Sequence, residues 1–183
     1  MSVPPEQRKV VDGVFEGLFS KALKLEVTPQ LRRRLLELGV DLAALRPVYP
    51  HAVWLQALTV AAEELHPSRP LPEALRELGG RAVTGYFETF LGKALKQLLR
   101  ALGVRRTIGR MTLNFSSTNN YTETRVRDLG ERHVEVWMNE LSLTQHNMAG
   151  IMQTGLTIAG GKNVRVEISS SDAVGCTYEV RWE

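Results

Sequence analysis

Up to about residue 110 the apolar residues recur at three- and four-residue steps, and beyond it they fall at every second position, so the chain changes from helix to strand part-way along. Residues 10–16 read as a short extended entry, and Phe15, Leu18, Phe19 and Leu23 then share one face of a small helix. Thr28-Pro29 is a hydroxyl cap followed by a first-turn proline, and Gly39 is placed to end the helix that it opens. Trp54, Leu58, Ala61 and Leu65 predict a helix over 51–65. Pro72-Glu73 opens another to Leu78, the Gly79-Gly80 pair breaks it, and an apolar helix follows over 81–102. Gly103 closes that helix, and a further turn or two runs to Arg110. Residues 112–128 read as a long polar strand, 133–139 as a second strand, 147–159 as a helix, and 164–168 and 176–182 as two more strands. Helices followed by a β-β-α-β-β, largely antiparallel sheet is the α+β class.

A chain of 183 residues, 43% hydrophobic and 23% charged, suits one domain over 1–183 with its own core. Within it we expect a flexible N-terminus at 1–9, a mainly helical part at 10–110 and a sheet part at 111–183. One cysteine, Cys176, cannot form an internal disulfide or a cysteine-based zinc site. No signal-peptide pattern and no apolar run near the roughly 18 residues of a membrane span is present, so the expected location is the cytoplasm. The net charge of +3 is too small to predict nucleic-acid binding, and Arg32, Arg33 and Arg34 read as a solvated helix face.

Candidate chemistry is sparse. His51, His66, His133 and His146 share no metal-ligand spacing, and no nucleophile elbow, phosphate loop or dinucleotide fingerprint occurs. Ser169 to Asp172 reads as a turn. The polar strand is the anomaly, because asparagine is poor in strand interiors. It is either an edge strand or a recognition surface, the latter centred on Asn114, Asn120, Tyr121, Glu123 and Arg125. Likewise Trp54, Tyr86, Phe87, Phe90 and Leu91 either pack a filled core or line a ligand pocket, and of these Trp54, Phe87, Phe90 and Leu91 are expected to face the sheet.

Four segments carry a family resemblance: Val14 to Phe19, Leu91 to Leu95 with Gly103 to Thr107, Asn114-Phe115 with Asn119 to Arg125, and Gly175 to Tyr178 with Arg181-Trp182. Together they resemble a paralogous family of myxobacterial proteins of unknown function, over nearly the whole chain. More remotely, the element order is similar to a fold group of four-vinyl-reductase small-molecule-binding domains, haem nitric-oxide/oxygen-binding domains and vesicle-transport particle subunits. That resemblance implies an apolar ligand between helices and sheet. Haem-binding members use a histidine on the long helix before the sheet, and residues 81–110 hold none. Their tyrosine-serine-arginine motif is similar to Tyr121 to Arg125, but Glu123 stands where the serine would be. No haem, zinc or other cofactor is therefore expected.

The reading is a non-enzymatic regulatory or small-molecule-sensing domain, expected to form a homodimer and to act through a protein partner that the sequence leaves unidentified. A ligand-free protein-interaction module is the alternative. An enzyme of unrecognised type comes third, since no nucleophile, base and orienting group can be named together.

Overall fold

A computed structural model of the chain describes residues 3–140 and 143–183. Strand β1 (Lys9–Val11) pairs antiparallel with β2 (Val48–Pro50), and helix α1 (Asp12–Phe15) follows β1 directly, continuing as a π-helical stretch over Glu16–Ala22. Helix α2 (Pro29–Glu37) begins as the sequence predicts. Thr28 Oγ1 accepts from the Leu31 N–H at 3.0 Å, Pro29 occupies the first turn, and Gly39 stops the helix at φ 78°. Its Arg34 forms ion pairs with Glu63 and Glu64 on α3 (His51–Leu65), while Arg32 and Arg33 face solvent. Trp54, Ala57, Leu58 and Ala61 are the buried stripe of α3, as their spacing requires. Phe15 anchors this helical core, with its ring 4.5 Å from Tyr49 and 5.0 Å edge-on from Trp54.

Helix α4 (Leu71–Tyr86) corrects the expected break at Gly79-Gly80, because it runs straight through the pair. Two glycines in a helix cost about 1 kcal/mol each relative to alanine, and contact with α7 (Thr144–Ile158) explains why they are there. A Cβ on Gly79 would lie 2.0 Å from the Asn147 carbonyl oxygen, and one on Gly150 would lie 1.9 Å from that of Arg76. The glycines thus let two helix backbones meet. Arg76 reinforces the crossing, donating at 2.6 Å to both Gln153 Oε1 and the Val166 carbonyl.

The true break falls at Phe87–Thr89. Thr89 Oγ1 caps α5 (Phe90–Gly109) by accepting from the Gly92 N–H at 3.1 Å. That turn rephases the following helix. Phe90 and Leu91, expected to face the sheet, are 91% and 63% exposed on the first turn of α5. Gly103 (φ 73°, ψ 175°) bends α5 sharply, and its last turns, carrying Val104 and Ile108, reach the sheet core.

The expected polar strand over 112–128 is corrected as well. Met111–Phe115 is a short helix, α6, and strand β3 begins only at Thr124 (Thr124–Gly130). The hydroxyls of Ser116, Ser117 and Thr118 each donate to the carbonyl three residues back, satisfying the end of α6 and competing with strand pairing. Strands β4 (His133–Met138), β5 (Arg165–Ser171) and β6 (Cys176–Arg181) complete an antiparallel sheet in the order β3-β4-β6-β5. The β-β-α-β-β order and the α+β class stand. Val134, Val136, Met138, Val166, Tyr178 and Val180 form its inner face, packed under Met148, Ala149, Met152 and Leu156 of α7. The outer face carries charged pairs, among them Arg127 with Glu135 and His133 with Glu179.

Candidate functional site

Between the helical core and the sheet core, where α3, α4, α5, α6 and α7 converge, lies a cavity of about 140 Å³. Helix α3 contributes His51, Trp54 and Leu58, and the end of α4 contributes Val83 and Tyr86, with Phe87 just beyond it. Leu95, Leu99 and Thr107 come from α5, Met111, Asn114 and Phe115 from α6, and Asn147, Met148 and Ile151 from α7. The walls are largely apolar, and Tyr121 and Glu140 enter them from the segments flanking β3 and β4.

Three of the five residues expected in a pocket, Trp54, Tyr86 and Phe87, line the cavity, while Phe90 and Leu91 point away into solvent. The residues expected on a polar contact surface are dispersed. Asn114 lines the cavity, and its amide donates to the Thr107 carbonyl at 3.2 Å. Tyr121 is buried against it. Asn120 is a clasp: its Oδ1 accepts from the Lys9 N–H at 2.8 Å and its Nδ2 donates to the Gln7 carbonyl at 3.1 Å. The N-terminal segment expected to be flexible is thus held at residues 7 and 9. Glu123 is half-buried, with its N–H donating to Asn139 Oδ1 at 2.9 Å. Arg125 is exposed, as Asn120 is, and lies 4.6 Å above the Trp137 ring on the outer face of the sheet. The asparagines that made this stretch unusual serve the backbone. Asn119 Oδ1 takes the N–H groups of Tyr121 and Thr122, closing the turn that aims Tyr121 inward.

The polar wall residues Glu140, Thr107 and His51 were among those not singled out from the sequence as site residues. Glu140 follows the β4 strand and is 1% exposed, and its Oε1 has no hydrogen-bond partner. Burial raises its carboxyl above the usual carboxylate range, opposed by a hydrogen bond with Thr144, the Arg8 charge and a hydrogen bond with Tyr121. Burial and then the Glu140 charge push the Tyr121 phenol far up. Arg8 sits 5.0 Å from the centre of the Tyr121 ring, and the His51 ring lies 4.5 Å from it on tilted planes. Burial, with a smaller contribution from Arg8, lowers the His51 pKa to about 4, so its imidazole is neutral near pH 7. Thr107 is 4% exposed, and its Oγ1 also lacks a partner.

Among the described residues no cluster of three or more His, Cys, Asp or Glu side chains is arranged to hold a metal ion, and no helix is long and apolar enough to cross a membrane.

The architecture defines a class. The chain shares its fold with H-NOX domains of known structure. It superposes on an H-NOX protein from S. oneidensis in the Fe(II)NO state at TM-score 0.63 and 12% identity, covering 94% of this chain and 99% of that one. For a T. tengcongensis H-NOX mutant the values are 0.62, 11%, 93% and 95%, and for the unliganded Fe(II) protein from K. algicida they are 0.61, 9%, 94% and 96%. At these identities the likeness is one of fold. By sequence the chain belongs to the family described as protein of unknown function DUF2378, whose profile matches residues 8–183. No curated protein matches it.

A haem does not fit the residues present. An apolar cavity of about 150 Å³ accommodates a single benzene, and a macrocycle of four pyrroles needs several times the 140 Å³ available here. Helix α5 has no histidine to reach an iron, and His51, on the cavity wall at the start of α3, packs tilted against Tyr121.

Proposed function

We propose that this chain is a non-enzymatic sensing domain that binds a small, largely apolar molecule in the cavity between its helices and its sheet. The cavity itself carries the reading. Well-packed interiors leave few voids larger than a water molecule, whereas this one is about the size of a benzene ring and touches both halves of the fold. The H-NOX structures supply a precedent of fold, since one of them carries nitric oxide on Fe(II). A molecule seated against Trp54, Phe87, Met111 and Ile151 contacts three helices and the turn between α4 and α5 at once, so its binding alters how those elements pack. That is what a sensor requires.

The output in this reading is a contact with another protein chain in the cytoplasm, a second copy of this one first, with Arg125 on the edge strand β3 among the contacts. An edge strand offers unpaired backbone groups to a partner. Titrating the purified chain with toluene, followed by heat of binding and by Trp54-sensitive fluorescence, tests the cavity. Saturable one-to-one binding that Phe87→Trp abolishes by filling the space is the expected result. If toluene and similarly small molecules do not bind, the chain is a ligand-free interaction module. Sedimentation velocity of the native chain and Arg125→Ala tests the dimer.

A further inference from the structure

Two oxygens without partners face the same apolar cavity. Glu140 is 1% exposed with Oε1 unpartnered, and Thr107 is 4% exposed with Oγ1 unpartnered. Buried polar atoms in folded proteins nearly always find a partner, and each exception calls for an explanation such as an absent water or ligand. The Thr144 and Tyr121 hydroxyls bond the Glu140 carboxyl but leave its Oε1 unpaired, and the other neighbouring donors are engaged elsewhere. The Asn114 amide goes to the Thr107 carbonyl, the Asn147 amide to the Leu75 carbonyl at 3.2 Å, and the Arg8 guanidinium to the carbonyls of Val3 and Asn139 at 3.3 and 3.5 Å. What the cavity lacks is a donor, and its walls otherwise suit a ring or a compact hydrocarbon.

We propose that the ligand is a compact apolar molecule of about one ring that carries an N–H or O–H group, and that Glu140 and Thr107 capture this group. The inference rests on the cavity being a ligand site and adds the chemistry that selects the ligand. Glu140 accepts the donor hydrogen at Oε1, and the Thr107 hydroxyl completes the pairing as donor or acceptor. An anionic ligand is rejected, because its carboxylate would meet Glu140. A plain hydrocarbon fills the space but leaves both oxygens unpaired. Discrimination of this kind, by a site built to pair a polar group, exceeds what shape alone supplies.

Aniline, phenol and toluene differ by one heavy atom on the same ring and separate these cases. Isothermal titration of the native chain is expected to show aniline, phenol or both binding at least tenfold more tightly than toluene, a difference of about 1.4 kcal/mol. Glu140→Gln and Thr107→Val, each first checked for a cooperative melt, are expected to reduce that ratio to less than about threefold while leaving toluene binding within about twofold. Whichever of the two oxygens makes the larger contribution shows the larger drop. Equal binding of all three probes to the native chain overturns the inference while leaving the cavity a ligand site, and buried water then accounts for the two oxygens. A preference that survives in both variants also overturns it. If none of the three binds, the ligand-site reading fails first and this inference with it. Should one variant not fold, the native ratio and the other variant still decide.

Discussion

His51 and Glu140 lie on the same wall and titrate in opposite senses. The folded pKa of His51 is about 4, below its ordinary 6.5, so the unfolded chain binds the proton more readily. Its contribution is present above pH 6.5 and is lost as pH falls toward 4, amounting to about 3 kcal/mol at most. His51→Phe keeps a ring beside Tyr121 and should remove that loss. Denaturant unfolding of both chains at pH 7 and pH 4.5 is expected to show the variant gaining relative to the native chain in acid. Glu140 behaves oppositely: its carboxyl is raised, so its contribution is present below pH 4.5 and lost as pH rises through the folded value. The melting temperature of Glu140→Gln minus that of the native chain should therefore increase between pH 5 and pH 8. A flat difference would show that Glu140 is not desolvated. Burial also separates two phenylalanines. Phe15→Ala should cost about 3–5 kcal/mol, whereas Phe90→Ala, at 91% exposure, should change stability by less than about 0.5 kcal/mol.

At the scale of elements, the α4–α7 crossing is the join between the halves, and glycine makes it close. Gly79→Ala improves helix propensity by about 1 kcal/mol but drives a Cβ to 2.0 Å from the Asn147 carbonyl oxygen. Backbone cannot yield there as a side-chain tip can, so the expected net effect is a loss of more than about 2 kcal/mol, typical of overpacking. Gly109→Ala is the matched control: its Cβ meets nothing within 4 Å on α5, and it should be neutral or slightly stabilising. Thermal melts of the two variants side by side check the comparison. Similar behaviour would mean that the helices do not approach as closely as described. The bend at Gly103 has a different basis, a φ of 73° that other residues adopt only at a cost. It turns the end of α5 onto the sheet, where Arg105 pairs with Asp128 at 2.7 Å and holds the carbonyls of Gly130 and Glu131.

Across the whole molecule, the cavity lies where two separately packed cores meet, so a ligand there stabilises the fold by mass action. Toluene at ten times its dissociation constant should add about 1.4 kcal/mol and raise the melting temperature by about 3–5 °C for a domain of this size. Differential scanning calorimetry with and without the probe reads this directly. An unchanged melting temperature would show that toluene does not bind the native chain in preference to the unfolded one. In the proposed reading the same coupling reports occupancy, because a molecule in the cavity would touch α3, α5, α6 and α7 together.

The elements legible from sequence were those with a local signature. The Thr28-Pro29 cap and Gly39 stop, the period of α3, and the alternation of Val134, Val136 and Met138 each act within one element, so neighbouring residues suffice to read them. The α+β class followed from their order. Trp54, Tyr86 and Phe87 were legible as pocket candidates because large aromatics on an inner helix face have nowhere else to go. What tertiary structure decided were matters of phase and company. The three-residue turn at 87–89 rotated Phe90 and Leu91 outward, and contact with α7 converted a glycine pair from a helix break into a seam. Asn120 and Asn139 took up backbone groups from distant segments, and Asn119 those of its own turn, turning an apparent polar strand into a clasp. Glu140 is the extreme case: the residues beside it carry no sign that its carboxyl is buried, because the surface that buries it comes from Tyr121 and from helices distant in the chain.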